Sequence, residues 1–286
     1  MTSHNRCETT LSALRALARQ SSSPPLSVVL VDAGSSDGTP EAVKGEFPDV
    51  ALVQADADVF WSKGTRLAMH VALETADPCA LMWLNDDTML DPTAVARLWR
   101  ALREAEQEEP GRAHVVVGSV ADPYDGRTTY GGFRSRSRWR PLSLQRVAPA
   151  PQDRTPCDTF NGNVVLFSRD AVDQVGVLDA TWDQGMGDVD YGFRLGRAGV
   201  GLWVAPGVVG SCRANAGPGR WRDASLPLGE RWRLVTSPKG LPPGQWWELS
   251  RRWGGPLWPL VAASPYLRLL GSAAYAKVVR GRRGKS

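Results

Sequence analysis

Residues 26–32 read Leu26-Ser27-Val28-Val29-Leu30-Val31-Asp32, and the chain then turns through Ala33-Gly34-Ser35-Ser36-Asp37-Gly38-Thr39. A short, nearly continuous apolar run that ends in an acid is the pattern of a strand buried on both faces, as in a parallel sheet. Its last residue is delivered to the carboxyl edge of the sheet, where α/β folds bind ligands. Working outward, the sequence predicts a short helix at 40–46, a strand at 50–54, a helix at 65–76 and a strand at 80–84. A helix from about 92 to 106, opened by Asp91-Pro92, and a strand at 114–120 follow. Strand and helix alternating in this way predict a Rossmann-like, mostly parallel, doubly wound sheet.

Upstream, residues 7–20 place Leu11, Leu14 and Leu17 at helical spacing and stop in Ser-Ser-Ser-Pro-Pro. A strand is expected before this helix, yet only six residues precede it. Either the start lies further upstream or the sheet has lost most of its first strand, and the cost of an unpaired strand position favours an upstream start. Downstream, short strands are expected near 127–132 and 138–147, then one at Phe160-Asn161-Gly162-Asn163-Val164-Val165-Leu166-Phe167. A helix at about 188–198 and strands at 201–212 complete a domain over 1–221. Residues 222–286 read as a mainly helical appendage rich in Trp, Pro and Arg.

A chain of 286 residues with 42% hydrophobic and 22% charged residues is globular and needs no covalent staple. The four cysteines are far apart and show no C-x-x-C spacing, which argues against a zinc site or a disulfide framework and for a reducing, cytoplasmic setting. The N-terminus carries no apolar signal segment. The longest charge-free stretches, 198–212 and 253–267, fall short of the roughly 20 apolar residues of a spanning helix. A net charge of +4, with Arg280, Arg282, Arg283 and Lys285 bunched at one end, excludes a nucleic-acid-binding body. It leaves a local contact with phosphates or anionic lipid, or a solvated tail. Of the 12 Trp, eight follow residue 180.

Three acidic sites could carry chemistry. Met82-Trp83-Leu84-Asn85-Asp86-Asp87-Thr88 is an apolar strand ending in adjacent carboxylates, a costly pair unless a cation sits beside it. Mg²⁺ or Mn²⁺ takes one or two carboxylates together with substrate phosphates; an Asp-rich turn capping the next helix is the plain alternative. Asp32 with its turn is the second site. The third is Gly185-Met186-Gly187-Asp188-Val189-Asp190-Tyr191-Gly192-Phe193-Arg194, where Asp188 heads a helix after a Gly-rich loop. A carboxylate so placed is either a helix cap or a general base, and Asp190 and Arg194 have the spacing of a helical ion pair.

Jointly, Val31 to Thr39, Asn85-Asp86-Asp87 and Gly187-Asp188 through Arg194 resemble the family 2 glycosyltransferases, inverting enzymes of GT-A fold. Phe60-Trp61, Leu84-Asn85-Asp86-Asp87-Thr88, Asn161-Gly162-Asn163 and Gly187-Asp188-Val189-Asp190-Tyr191-Gly192 look closest to the rhamnosyltransferase-like branch. The resemblance covers about residues 3–213. It implies transfer of a sugar from a nucleoside-diphosphate donor to a hydroxyl of a glycan or lipid-linked acceptor, in polysaccharide or cell-envelope synthesis. By the same resemblance Asp188 is the catalytic base, Asp87 the ligand of Mg²⁺ or Mn²⁺, and Asp32, Asn85, Asp86, Trp61 and Arg66 line the donor site. Asn161, Asn163 and Asp190 fall on the acceptor side, and Lys63 or Arg66 either adds a cation at the phosphates or is a plain exposed helix charge. The second acid of the family's turn is here Ala33, which weakens a uridine assignment. Asn5-Arg6 resembles the end of the family's first strand.

In the tail, Trp246, Trp247, Trp253 and Trp258 beside Arg251 and Arg252 fit an acceptor subsite, a peripheral membrane contact or plain packing. Pro256, Pro259 and Pro265 argue against one uninterrupted amphipathic helix through the tail. Two further functions stay open. A nucleotidyltransferase would carry a Gly-rich phosphate loop, which the N-terminus lacks, and a noncatalytic sugar-nucleotide or glycan-binding protein would bind donor without turnover.

Overall fold

The computed structural model describes residues 1–214 and 220–283. Its first elements are β1 (Thr2–Ser3), α1 (Cys7–Ala18), β2 (Val29–Ala33), α2 (Thr39–Glu46), β3 (Ala51–Ala55), α3 (Trp61–Ala76) and β4 (Ala80–Leu84). Next come β5 (Met89–Leu90), α4 (Ala94–Glu108), β6 (His114–Ala121), β7 (Thr128–Tyr130), β8 (Gly132–Ser135) and β9 (Leu144–Arg146). They are followed by β10 (Thr155–Pro156), β11 (Thr159–Phe160), β12 (Val164–Ser168), α5 (Arg169–Val175), α6 (Gly187–Arg197) and β13 (Gly201–Ser211). The last are α7 (Leu228–Thr236), α8 (Pro243–Trp253) and α9 (Trp258–Arg283).

β1, β2 and β3 pair in parallel in that order, with Asp32 level with Ser3 and Gln54. A second sheet runs β10-β13-β6-β12-β4, with β5 on β13 and β7 on β6. β4 and β6 are both antiparallel to β12 and so run the same way, and β13 is parallel to β6. The architecture is the expected mixed α/β fold with a mostly parallel sheet and a helical C-terminal region. The strand order does not continue unbroken, however, because β12 inserts antiparallel between β4 and β6. β6 is buried along almost its whole length, and α4 lays Ala94, Val95, Leu98, Ala101 and Leu102, one helical stripe, against the same core.

β1 is only two residues long and pairs with β2 through Thr2 and Ser3. Several expectations are corrected. The strand expected over 138–147 shrinks to Leu144–Arg146, and the single strand expected at 160–167 divides into β11 and β12. α3 starts at Trp61 and not at 65. The backbone N–H groups of Ser62 and Lys63 donate to the carbonyl of Asp183, so the first turn is capped from a distant segment and leaves no local cap signal.

Contacts divide the chain into two compact units. One is Met1–Arg134 with Gln145–Asp183 and Gly187–Ala214; the other is Ser135–Leu144 with Gln184–Met186 and Asn215–Ser286. The second has its own small core of Trp221, Val235 and Leu269. As expected, the tail is not one uninterrupted helix, since α8 ends at Trp253 and α9 begins at Trp258 beyond Pro256, although α9 itself runs through Pro265. A proline there cannot donate to the carbonyl of Val261, and the Ser264 hydroxyl supplies that bond at 2.9 Å. Pro259 lies in the first turn, where its missing N–H costs little.

Candidate active site

The carboxyl end of β2 delivers Asp32 into the interior. Its Oδ2 accepts from the backbone N–H of Ser35 at 3.0 Å, while Oδ1 is buried with no hydrogen-bond partner among the described residues. Asp37 in the following turn is fully engaged with its own chain. It accepts from the N–H of Cys7 at the head of α1 and from the N–H and hydroxyl of Thr39 at the head of α2. Asn5 fastens the same turn, donating from its N–H to the Ser35 hydroxyl and accepting from the Ser36 N–H. The Thr39 hydroxyl, ahead of the backbone donors, holds the Asp37 carboxyl below its usual range.

β4 ends at Leu84, and the turn after it presents Asn85, Asp86 and Asp87. Asp86 is almost fully buried, and burial, opposed by Arg6 and reinforced by Asp87, pushes its carboxyl up to about 6. Arg6, just ahead of α1, reaches both acids, 3.1 Å to Asp86 Oδ1 and 2.8 Å to Asp87 Oδ2. Cys212, immediately beyond β13, places its Sγ 3.4 Å from Asp87 Oδ1 and accepts from the Asn163 amide at 3.6 Å. Burial, then the Asp87 charge, pushes the Cys212 thiol up to about 12, so it stands there as a neutral thiol. Sequence reasoning placed Arg6 at a strand end but missed its contact with the two acids, and it missed Cys212. Each lies far along the chain from Asp87, and no local pattern marks a contact of that range.

Asp188 occupies the first turn of α6. Its Oδ2 accepts from the Gly162 N–H at 3.0 Å and its Oδ1 from the Val189 N–H at 2.9 Å, and the Asn161 side chain also hydrogen-bonds the carboxylate. Burial nevertheless outweighs these donors and raises its pKa. One residue further on, the carbonyl of Asn163 accepts from the Asn85 N–H at 3.0 Å. The segment Asn161-Gly162-Asn163 is thus a short backbone bridge between the Asp188 carboxylate and the Asn85-Asp86-Asp87 turn.

Trp61 completes this wall. Its Nε1 donates to Asn85 Oδ1 at 2.7 Å, and its ring meets Trp83 edge-on at 5.8 Å. A Cβ on Gly162 would fall 2.4 Å from Trp61 Cη2, so glycine is required for the bridge to pass under the indole. α6 approaches just as closely, because a Cβ on Gly192 would lie 2.4 Å from the Thr159 hydroxyl. Asp190 is fully buried. Arg194 donates to the carbonyls of Val175 and Val177 and lies over the Tyr191 ring. Lys63 pairs with Asp183 at 3.1 Å. Arg66 lies half-buried one turn further along α3, and no described contact joins it to the acidic groups.

The donor set fits a divalent cation. Asp86 and Asp87 offer hard carboxylate oxygens, the kind Mg²⁺ and Mn²⁺ select. Among the described residues no three His, Cys, Asp or Glu side chains are grouped to enclose an ion. An ion here would therefore complete its shell with substrate oxygens and water, as these metals commonly do with nucleotides.

The fold is α/β, and its acidic groups gather at the strand ends. The model of the family described as glycosyl transferase family 2 matches residues 1–176 of the 286, and the chain belongs to that family. Two curated relatives, both N-acetylglucosaminyl-diphospho-decaprenol L-rhamnosyltransferases from two strains of Mycobacterium tuberculosis, are 29% identical over 200 residues. The match spans 61% of this chain and 62% of theirs. They agree with the rhamnosyltransferase-like wording of the sequence. Among solved structures, a mannosyltransferase from Pyrobaculum calidifontis in complex with GDP-Man and Mn²⁺ shares the fold with a TM-score of 0.56 at 21% identity. That likeness covers 98% of this chain and 73% of the other.

Proposed function

We propose that this protein is a metal-dependent, inverting glycosyltransferase that moves a sugar from a nucleoside-diphosphate donor to a hydroxyl of a lipid-linked glycan. The observation that carries the reading is the Asn161-Gly162-Asn163 bridge, which ties Asp188 to the Asn85-Asp86-Asp87 turn by one backbone hydrogen bond at each end. It supports a single reaction centre with a base on one side and a diphosphate site on the other.

In this reading Asp188 accepts the proton of the acceptor hydroxyl, whose oxygen forms the new bond to the anomeric carbon. The old bond from that carbon to the diphosphate oxygen breaks, and its electron pair leaves with the nucleoside diphosphate. Attack opposite the leaving group inverts the centre. A carboxylate whose pKa is raised by burial is a stronger proton acceptor near neutral pH. Its donors at Gly162, Val189 and Asn161 fix where its oxygens point.

Asp87 would hold Mg²⁺ or Mn²⁺, which when bound neutralises charge developing on the diphosphate. Asp86 and the unpartnered Oδ1 of Asp32 are assigned to the nucleoside, with Asn85 and Trp61 shaping the donor wall. Arg66 is the second phosphate cation. Asn161 and Asn163 border the acceptor side. Asp190, buried as Asp32 is, is assigned to the same acceptor side.

The relatives' names suggest the acceptor class, a sugar diphosphate on a polyprenyl lipid, and rhamnose as the donor sugar. The purified protein, given N-acetylglucosaminyl-diphospho-decaprenol, a nucleoside-diphosphate rhamnose and Mn²⁺, should yield a glycosylated lipid and free nucleoside diphosphate. Donor binding without release of nucleoside diphosphate across a panel of donors and lipid-linked acceptors would contradict this reading and favour a noncatalytic binding protein.

A further inference from the structure

Residues 249–286 hold eight Lys or Arg and no Asp or Glu, whereas the whole chain carries a net +4. The rest of the chain is therefore net negative, and the basic excess of this protein resides in its last helix and the residues flanking it.

α9 is apolar on two opposite sides. Ala262, Pro265 and Leu269 are buried, and at about 100° per residue they share one face. Leu260, Leu267 and Leu270 project from the other side and are 65%, 61% and 49% exposed, with Arg268 exposed at the flank of that side. Leu257, just ahead of the helix, is exposed too, and Trp247 is half exposed with its ring edge-on to Trp258 at 5.0 Å. The outer face of a water-solvated helix is ordinarily polar. Among the described residues no helix is long and apolar enough to cross a membrane.

We propose that the outer face of α9, led by Leu260 and Leu267, docks on the surface of an anionic lipid bilayer. Leucine side chains enter the acyl boundary, Trp rings suit the headgroup level, and the basic residues from Arg268 onward, in a stretch without Asp or Glu, meet lipid phosphates, whereas Arg251 and Arg252 are already paired with Glu248. A second copy of the chain would set this positive face against itself, and a nucleic acid would give the leucines nothing to contact. The proposal rests on the reading that the acceptor is lipid-linked, since such an acceptor lies at a bilayer surface.

The test is flotation of the full chain, without donor, on phosphatidylcholine vesicles with and without phosphatidylglycerol. The protein should float with the anionic vesicles about ten-fold more strongly than with the neutral ones, and raised salt should weaken the binding. Leu260→Glu/Leu267→Glu should lose about ten-fold or more of that partitioning with its melting temperature unchanged, since both positions point away from the core. Should the charges disturb the fold, Leu260→Ser/Leu267→Ser gives the same direction with a smaller loss. Absence of flotation, equal flotation of wild type and variants, or loss of an oligonucleotide complex or a dimer in their place would overturn the proposal. A protein that floats but transfers no sugar contradicts the proposed function alone, and one that transfers without floating contradicts the docking alone.

Discussion

The strand ends at Asp32 and at Asp86 look alike in sequence, each an apolar run closed by acid and a turn, yet the chain uses their carboxylates differently. In the first turn, Asp37 is consumed by its own backbone and by Thr39, and its pKa falls accordingly. At the second, adjacent carboxylates face one guanidinium, and the buried one is pushed up. Acid at a sheet edge is therefore not by itself a site. What separates the two is whether local N–H groups already fill the acceptor capacity, and Asp32 shows both conditions within one carboxylate.

Asp87→Ala should break the contrast most severely, lowering Mn²⁺-dependent affinity for nucleoside diphosphate on the order of a hundred-fold by calorimetry. Gly162→Ala comes next. Its Cβ cannot coexist with the present position of Trp61, so the bridge and the base must shift, and kcat should drop about ten- to hundred-fold in a protein that still folds.

Asp86→Asn sharpens the contrast through pH. The folded Asp86 carboxyl titrates near 6 against an ordinary 3.8, so between those values the folded state binds a proton that the unfolded chain does not. Its contribution to stability therefore increases as pH falls from about 6 to about 4. In EDTA, the asparagine variant should melt higher than wild type at neutral pH and lack that acid-side gain. The smallest effect belongs to Asp37→Ala, which should lower the melting temperature by a few degrees through two lost helix-end contacts and leave Mn²⁺-dependent nucleotide affinity unchanged.

Much of the α/β framework was legible because buried strands and helices impose periodicity: the runs around Leu30, Met82 and Val116 and the helix expected at about 92–106 all form. The two-residue β1 has no period to detect, and the antiparallel insertion of β12 is set by pairing with β4 and β6, which no local pattern encodes. The start of α3 was misread because Asp183 caps it from a distance. Within the site, the acids announced themselves by position, whereas Arg6 and Cys212 depend on chain segments that meet only in the fold. The exposed leucines of α9 were hidden for a different reason. Pro265 argued against a continuous helix, and the compensating Ser264 hydroxyl is a detail of geometry.

The most direct test of the account is Asp188→Asn in a single-turnover transfer assay, paired with nucleotide binding on the same sample. The account predicts a fall in rate of about a thousand-fold or more with nucleotide affinity unchanged, because the amide keeps the Gly162 contact but cannot take the proton. Turnover within about ten-fold of wild type would contradict Asp188 as the base and remove the reason for placing the reaction at the Asn161-Gly162-Asn163 bridge.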